Sequence, residues 1–155
     1  MDWYLVVKTA HILSASVLFG TGMGIAFFMW RSRASENPHT RVFATRYTVV
    51  ADYVFTLPAV IVQPLTGIWL IHAGGFDPGE FWLITTYALF AVSGICWLPV
   101  VWIQIQLKNM AVASLESGIP LPDRYQRLFR IWFMLGIPAF TAVIAMFALM
   151  VAKPV

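Results

Sequence analysis

Lys8 and His11 stand one helical turn apart near the start of the sequence, inside a run that is otherwise mostly apolar. A neutral imidazole can ligate a haem iron or hydrogen-bond a neighbouring helix. At about 100° per residue, both side chains share a helical face with Ala15, Leu18 and Gly22. Iron ligation and helix–helix hydrogen bonding are therefore the two roles predicted for His11, while the long Lys8 side chain can reach outward to water.

Two further histidines and a single cysteine complete the side chains that commonly bind transition metals. His72 lies nine residues after Gln63, so it falls on the opposite side of the helix and is the weaker second candidate for an iron ligand. His39 stands in an arginine-rich segment and is predicted to be solvated. Because Cys96 is the only cysteine, the sequence excludes an internal disulfide and any cysteine-based metal cluster.

Four apolar runs position these side chains, approximately over residues 3–30, 48–72, 82–107 and 129–152. Each run exceeds the roughly 20 residues that cross a hydrocarbon core. Backbone polar groups need internal partners in a bilayer, so each run is predicted to be a helix. Asp2 precedes the first run in place of a basic segment, which favours a membrane span over a cleavable signal peptide. The sequence therefore predicts an all-α polytopic membrane protein, a single domain built as a four-transmembrane-helix bundle.

The composition supports this class and argues against a nucleic-acid-binding protein. Hydrophobic residues make up 60% of the 155 positions and charged residues 11%, whereas soluble domains carry about a quarter charged residues. The net charge is +3, but the basic residues are sorted between the apolar runs and do not form a patch with interleaved aromatic residues. The predicted partner is the lipid bilayer.

The basic residues also predict the orientation of the chain in the membrane. The predicted second loop holds Asp77 and Glu80 and no Lys or Arg, whereas the first and third loops hold or adjoin eight basic residues. Because loops rich in Lys and Arg stay in the cytoplasm, both termini and the second loop are predicted to lie outside it, with the protein in the cell inner membrane. The eight residues are Arg31, Arg33, Arg41, Arg46, Lys108, Arg124, Arg127 and Arg130.

A polar stripe follows the second predicted helix and is formed by Asp52, Thr56, Gln63 and Thr66. The periodicity predicts one continuous face that points into the bundle. Asp52 is predicted at the cytoplasmic interface, where a carboxylate costs little. Gln63 lies near mid-membrane and must find a partner, either on another helix or in a pocket. Pro58 and Pro64 are predicted to kink this helix.

The third predicted helix carries a second polar face, formed by Thr86, Ser93, Trp97 and Gln104. The indole N–H of Trp97 needs a partner in mid-span, so this side chain is predicted to point inward. On the first helix, small residues recur on the side opposite His11, at Ser16, Gly20 and Gly24. Such a small-residue stripe is suited to close helix–helix contact.

The opening of the first helix, Trp3-Tyr4-Leu5-Val6-Val7-Lys8-Thr9-Ala10-His11, resembles that of HemJ-type protoporphyrinogen oxidases. In these four-helix membrane proteins a histidine on the first helix ligates haem, and their wider superfamily includes CopD-like copper-resistance membrane domains. The chain also resembles a related family of small predicted integral membrane proteins of unknown function, which share the Lys-x-x-His opening and a glycine in the second helix, here Gly67. The resemblance implies haem b, with His11 as an axial ligand.

The chain departs from the HemJ pattern at one position. Those enzymes carry an essential lysine near the start of the third helix, after a Trp-Leu pair, whereas here Trp82-Leu83 is followed by Ile84-Thr85-Thr86. This departure weakens the case for protoporphyrinogen oxidation, whereas haem binding through His11 remains what the resemblance implies. No metalloprotease, P-loop, nucleophile-elbow or Rossmann pattern occurs, so no catalytic residue is predicted and no redox partner is identified.

The leading interpretation is a haem b-associated membrane protein that is redox-active or handles haem. His11 would hold the iron, Lys8 would meet a propionate, and the pocket would be lined by Gln63, Thr86 and Trp97. The alternative is a non-catalytic scaffold or accessory subunit, in which the small-residue stripe joins a homo-oligomer or a larger membrane complex. A third interpretation, a small transporter or metal-handling protein of the CopD type, has no cluster of methionines and histidines on one face to support it.

Overall fold

A computed structural model describes residues 2–154, and this part of the chain contains helices and their connections without any strand. In chain order the elements are α1 (Trp3–Arg33), α2 (Pro38–Ala51), a π-helical segment (Asp52–Thr56), α3 (Leu57–Gly74), α4 (Phe81–Ser117) and α5 (Asp123–Ala152). The middle three follow one another without a break and form the α2–α3 rod, Pro38–Gly74. With α1, α4 and α5 it makes four helices long and apolar enough to cross a membrane, which confirms the predicted fold class.

The helices extend beyond the predicted spans, most of all at the start of the α2–α3 rod. Asn37 caps the rod, because its side chain accepts a hydrogen bond of 2.9 Å from the backbone N–H of His39, and Pro38 occupies the first helical turn. Both are strong helix-start signals. The rod therefore begins inside the predicted first loop. The basic residues of that loop lie on helices, with Arg31 and Arg33 in the last turn of α1.

The connection between α4 and α5 is also shorter than the apolar runs suggest. α4 continues to Ser117 and ends at Gly118, which adopts a left-handed conformation with φ of 69°, a conformation that suits glycine. α5 begins at Asp123, before its predicted start at residue 129, and Asp123 places a negative charge in its first turn. A carboxylate there is favourable because the N-terminal end of a helix carries partial positive charge.

A π-helical segment comes just before Pro58, where the sequence predicts a kink. Proline has no N–H to donate, and its ring crowds the carbonyl four residues earlier, here that of Val54. The helix adapts just before this point: the N–H of Leu57 bonds the carbonyl of Asp52, five residues back instead of four. The segment thus contains one more residue in its turn than an α-helix would.

The helices pack mainly in neighbouring pairs. α1 runs along α3, α4 runs along α5, and α2 lies between α1 and α4. We call the end of the bundle that holds the α1–α2 and α4–α5 connections the basic end. The main core cluster is built around Met29, Leu107, Tyr125, Phe129 and Trp132, all nearly inaccessible.

The opposite end is closed by aromatic and cationic contacts around the α3–α4 connection. The ring of Phe76 meets that of Trp82 edge-on, with centroids 5.7 Å apart, and Trp82 is buried. Lys153, at the end of α5, places its Nζ atom 4.4 Å from the Phe76 ring centroid. The indole N–H of Trp82 donates to the carboxylate of Glu80. These contacts connect the end of α5 to the α3–α4 connection.

Candidate functional site

His11 lies at the contact between α1 and α3. A methyl group added at Gly67 would lie 3.4 Å from the Cε1 atom of His11, so the imidazole packs directly on the backbone of α3. One turn earlier, the Gln63 amide donates to the carbonyl oxygen of His11 at 2.7 Å and to Ser14 Oγ at 2.5 Å. The predicted need of Gln63 for a partner on another helix is therefore met by α1, beside His11.

The hydrogen bonds around His11 favour a proton on Nδ1 of its ring. Nδ1 lies 2.7 Å from Thr66 Oγ1, and the Thr66 hydroxyl donates its single proton to the carbonyl of Val62 at 2.6 Å. Thr66 can then only accept from His11, so Nδ1 carries the hydrogen. The lone pair is left on Nε2, and no hydrogen bond within residues 2–154 engages that atom. A ring nitrogen left free in this way can accept a hydrogen bond or ligate a metal ion.

The other two histidines lie away from this contact. His72 is exposed near the end of α3, which confirms the prediction that it points away from the polar stripe. His39 is exposed at the start of α2, at the basic end. Lys8 lies one turn from His11, is exposed, and its Nζ atom is 5.9 Å from the Tyr4 ring centroid.

The two predicted pocket residues on the third span are not hydrogen-bonded to His11. Thr86 is buried, and its hydroxyl donates to the carbonyl of Trp82 in its own helix at 2.7 Å. Trp97 neighbours Asp52 instead. Both belong to α4, which packs along α5 and α2 rather than along α1 or α3. Of the predicted pocket residues, the structure brings Gln63 to the histidine.

The polar stripe of the α2–α3 rod points into the bundle, as predicted, but it serves two different neighbours. Gln63 and Thr66 face α1, whereas Asp52 and Thr56 are buried beside α4. The π-helical segment that holds Asp52 and Thr56 also packs against α1, so all four residues of the stripe face the inside of the bundle. Asp52 is buried within the bundle, since only 4% of its surface is accessible.

A second polar cluster surrounds Asp52, where the side chains of Thr56, Trp97 and Gln104 come within reach of its carboxyl group. Even so, no hydrogen bond of ordinary geometry forms. Asp52 Oδ2, Thr56 Oγ1, Trp97 Nε1 and Gln104 Oε1 are all buried without a partner among the described residues. The sequence indicated the polar face of Trp97 and Gln104 but not its pairing with Asp52, which depends on how α4 is aligned against α2. The inward orientation of Trp97 is confirmed.

Close helix packing of α1 uses the side that carries His11, and not the small-residue stripe. A methyl group at Gly22, on the His11 side, would lie 3.7 Å from Phe140 Cε2, whereas at Gly20 and Gly24 it would meet nothing within 4 Å. The prediction that the stripe makes a close helix contact is therefore wrong within the described chain. His11 packs inward because its polar partners are on α3.

Comparison with known proteins is informative at the level of the family. Among curated proteins and among solved structures, none matches this chain. One family model, described as predicted integral membrane protein (DUF2269), matches residues 5–154. This match runs through all four candidate spans and includes the His11, Gln63 and Thr66 contact. The chain therefore belongs to the DUF2269 family of predicted integral membrane proteins.

Proposed function

We propose that the protein is a haem b-associated membrane protein in which His11 is an axial ligand of the iron. One observation carries the proposal: the hydrogen bonds from His11 to Thr66 and from Thr66 to Val62 leave Nε2 with a free lone pair. No group of three or more His, Cys, Asp or Glu residues that could hold a metal ion occurs among residues 2–154. A single histidine suits haem, because the porphyrin itself supplies four nitrogen ligands to the iron.

The supporting residues act on the histidine through its ring and its backbone. Thr66 would hold the ring orientation and increase the basicity of Nε2. Gln63 would fix the backbone of α1 at His11, and the exposed Lys8 would pair with a haem propionate. Thr86 and Trp97 could contribute only from α4, across the bundle. When bound, haem supplies one-electron chemistry, and the likeness to HemJ-type and CopD-like proteins supports a redox-active or haem-handling role.

The proposal includes a location and an orientation. The protein would lie in the cell inner membrane with its basic end in the cytoplasm and both termini outside. At 1.5 Å per residue, His11 then lies roughly 12 Å from the start of α1, on the outer side of the membrane. His39 lies at the basic end and could not reach the same group.

The visible spectrum of the full-length protein, purified in detergent after haem-supplemented expression, tests the proposal. We expect a Soret band and reducible α and β bands. His11→Ala should abolish or shift the Soret band, because a b-type haem depends largely on its axial ligands for retention. Lys8→Ala should weaken binding without eliminating it. His72→Ala should have a much smaller effect, and His39→Ala should have none.

Thr66→Val gives a sharper test of the hydrogen-bond chain. The substitution keeps the branched shape but removes the acceptor for His11 Nδ1, so we expect haem affinity to fall about 10- to 100-fold with a shifted midpoint potential. Thr141→Val, exposed on α5 and bonded only within its own helix, is the matched control. An unchanged spectrum in His11→Ala beside a lost one in His72→Ala would show that the wrong histidine was chosen. A colourless wild-type protein would refute haem binding.

A second candidate function is a scaffold or accessory subunit without cofactor. The observation in its favour is that a methyl group added at Gly20 or at Gly24 would meet nothing within 4 Å, so a partner helix could approach α1 there. The oligomeric state in detergent distinguishes the two functions. A colourless protein whose homo-oligomer dissociates in Gly20→Leu would support the scaffold.

A further inference from the structure

A cleft of about 800 Å³ lies between the second half of α1 and the first half of the α2–α3 rod. It is separate from His11, which does not line it. Its walls are predominantly apolar and include Gly24, Ile25, Phe28, Ala44, Ala51 and Phe55. Along α1 the lining extends from Thr21 to Ser32, about 16 Å at 1.5 Å per residue. That length is close to half of the ~30 Å hydrocarbon core, or one lipid leaflet.

The end of the cleft at the basic end is polar and carries positive charge. Arg31 is the one charged residue among the described residues that line it, and hydroxyl groups of Ser35 and Thr40 lie at the same end. A smaller cleft of about 250 Å³, lined by Trp30, Arg31, Arg33 and Ala34, adjoins it. A guanidinium group is well matched to the two oxygens of a phosphate, and tryptophan favours the level of lipid headgroups.

We propose that this cleft binds one anionic phospholipid, with an acyl chain between α1 and α2 and the phosphate at Arg31. The apolar walls match the chain in length, and the basic end matches the negative headgroup in charge. A second copy of the chain is disfavoured as the occupant of the cleft. In the same orientation its own basic end would lie against Arg31, and the like charges would repel each other. The proposal does not depend on haem, because the cleft and the His11 contact share no residue.

Native mass spectrometry of the delipidated full-length protein, titrated with phosphatidylglycerol or phosphatidylcholine, tests the proposal. We expect one phosphatidylglycerol to bind the wild type in preference to phosphatidylcholine. A single juxtamembrane Arg contributes about a fivefold preference, so Arg31→Gln should reduce the preference by about that factor. Arg127→Gln, an exposed basic residue at the same end that does not line the cleft, is the control.

A larger side chain in the apolar part of the cleft tests the binding of the acyl chain separately from that of the headgroup. A side chain at Gly24 would meet nothing within 4 Å and would project into the cleft, so Gly24→Leu should fold and lose both lipids. Gly94→Leu on α4, equally uncrowded but outside the cleft, should bind as the wild type does. Equal binding of the two lipids by the wild type, or unaltered binding in Gly24→Leu, would overturn the proposal. So would a dimer that forms in place of the lipid complex.

Discussion

The chain has seven acidic residues, and Asp52 is the one that is buried. Its carboxyl group lies among Thr56, Trp97 and Gln104, yet Oδ2 has no hydrogen-bond partner in the described structure. A buried carboxylate without a partner is costly, because it loses its hydration and gains no compensating bond. The apolar contacts of the adjacent core must therefore offset this cost.

Replacing the Asp52 carboxyl group with an uncharged group of the same shape should stabilise the protein. We expect Asp52→Asn to raise the free energy of unfolding by about 1–3 kcal/mol, because an amide carries no charge and its N–H can bond Gln104 Oε1. Thermal and denaturant unfolding in detergent would measure this. Asp77→Asn, in the exposed connection between α3 and α4, should change stability by less than about 0.5 kcal/mol. A destabilised Asp52→Asn would show that the carboxylate is bound to a group it needs.

At the level of the elements, the α2–α3 rod shows what a sequence can predict and where it falls short. The apolar runs identified the four spans, because membrane helices must be long and apolar. Asn37-Pro38 is a capping signal that indicates the early start of the rod. The apolar run, in contrast, begins only near residue 48 and predicts a later start. The π-helical segment could not be read: Pro58 indicates a kink but not how the helix accommodates it.

The same limit applies to the candidate site. Helical periodicity correctly predicted that Gln63 and Thr66 point into the bundle and that His72 points away from it. It could not show that Gln63 bonds the His11 backbone or that Trp97 neighbours Asp52, because such pairs depend on how one helix slides and rotates against another. Tertiary alignment of this kind leaves no periodic signal in one chain.

The π-helical segment makes a testable prediction about chain length. Deleting Val54 in a Pro58→Ala background should convert the segment to a regular α-helix and keep α2 and α3 facing their neighbours. Deleting Leu65 in the same background should rotate the ends of the rod by about 100° relative to each other and disrupt folding. Both residues are exposed, at 54% and 65%, so neither deletion removes core contacts. Size-exclusion profiles and melting temperatures in detergent would compare the variants, and equal loss of fold in both would contradict the prediction.

At the scale of the whole molecule, the two ends of the bundle differ in charge. The α1–α2 and α4–α5 connections are flanked by arginines, whereas the α3–α4 connection contains Asp77 and Glu80. The structure shortens the loops but preserves this asymmetry, since the basic residues remain at one end of their helices. The proposed orientation therefore rests on the charges that flank the helices.

Cysteine labelling in a Cys96→Ala background should report the orientation. Ser35→Cys and Ile119→Cys, at the basic end, should react with a membrane-impermeant reagent only from the cytoplasm, and Pro78→Cys only from outside. Gly75 is avoided because its φ of 67° would strain a cysteine. Labelling of Pro78→Cys from the cytoplasm would reverse the orientation and place His11 on the inner side.

The pairing of α1 with α3 has a consequence for the time at which the sites arise during synthesis. His11, Gln63, Thr66 and the lipid cleft all lie on α1 and the α2–α3 rod. A chain grows from its N-terminus at about 5–20 residues per second, so these parts are complete several seconds before α5 is finished. A nascent chain that ends at Gly79 would already carry the groups proposed to bind haem and lipid. The Asp52 cluster, by contrast, must wait for α4, so the proposed haem site can assemble before the cluster around Asp52 closes.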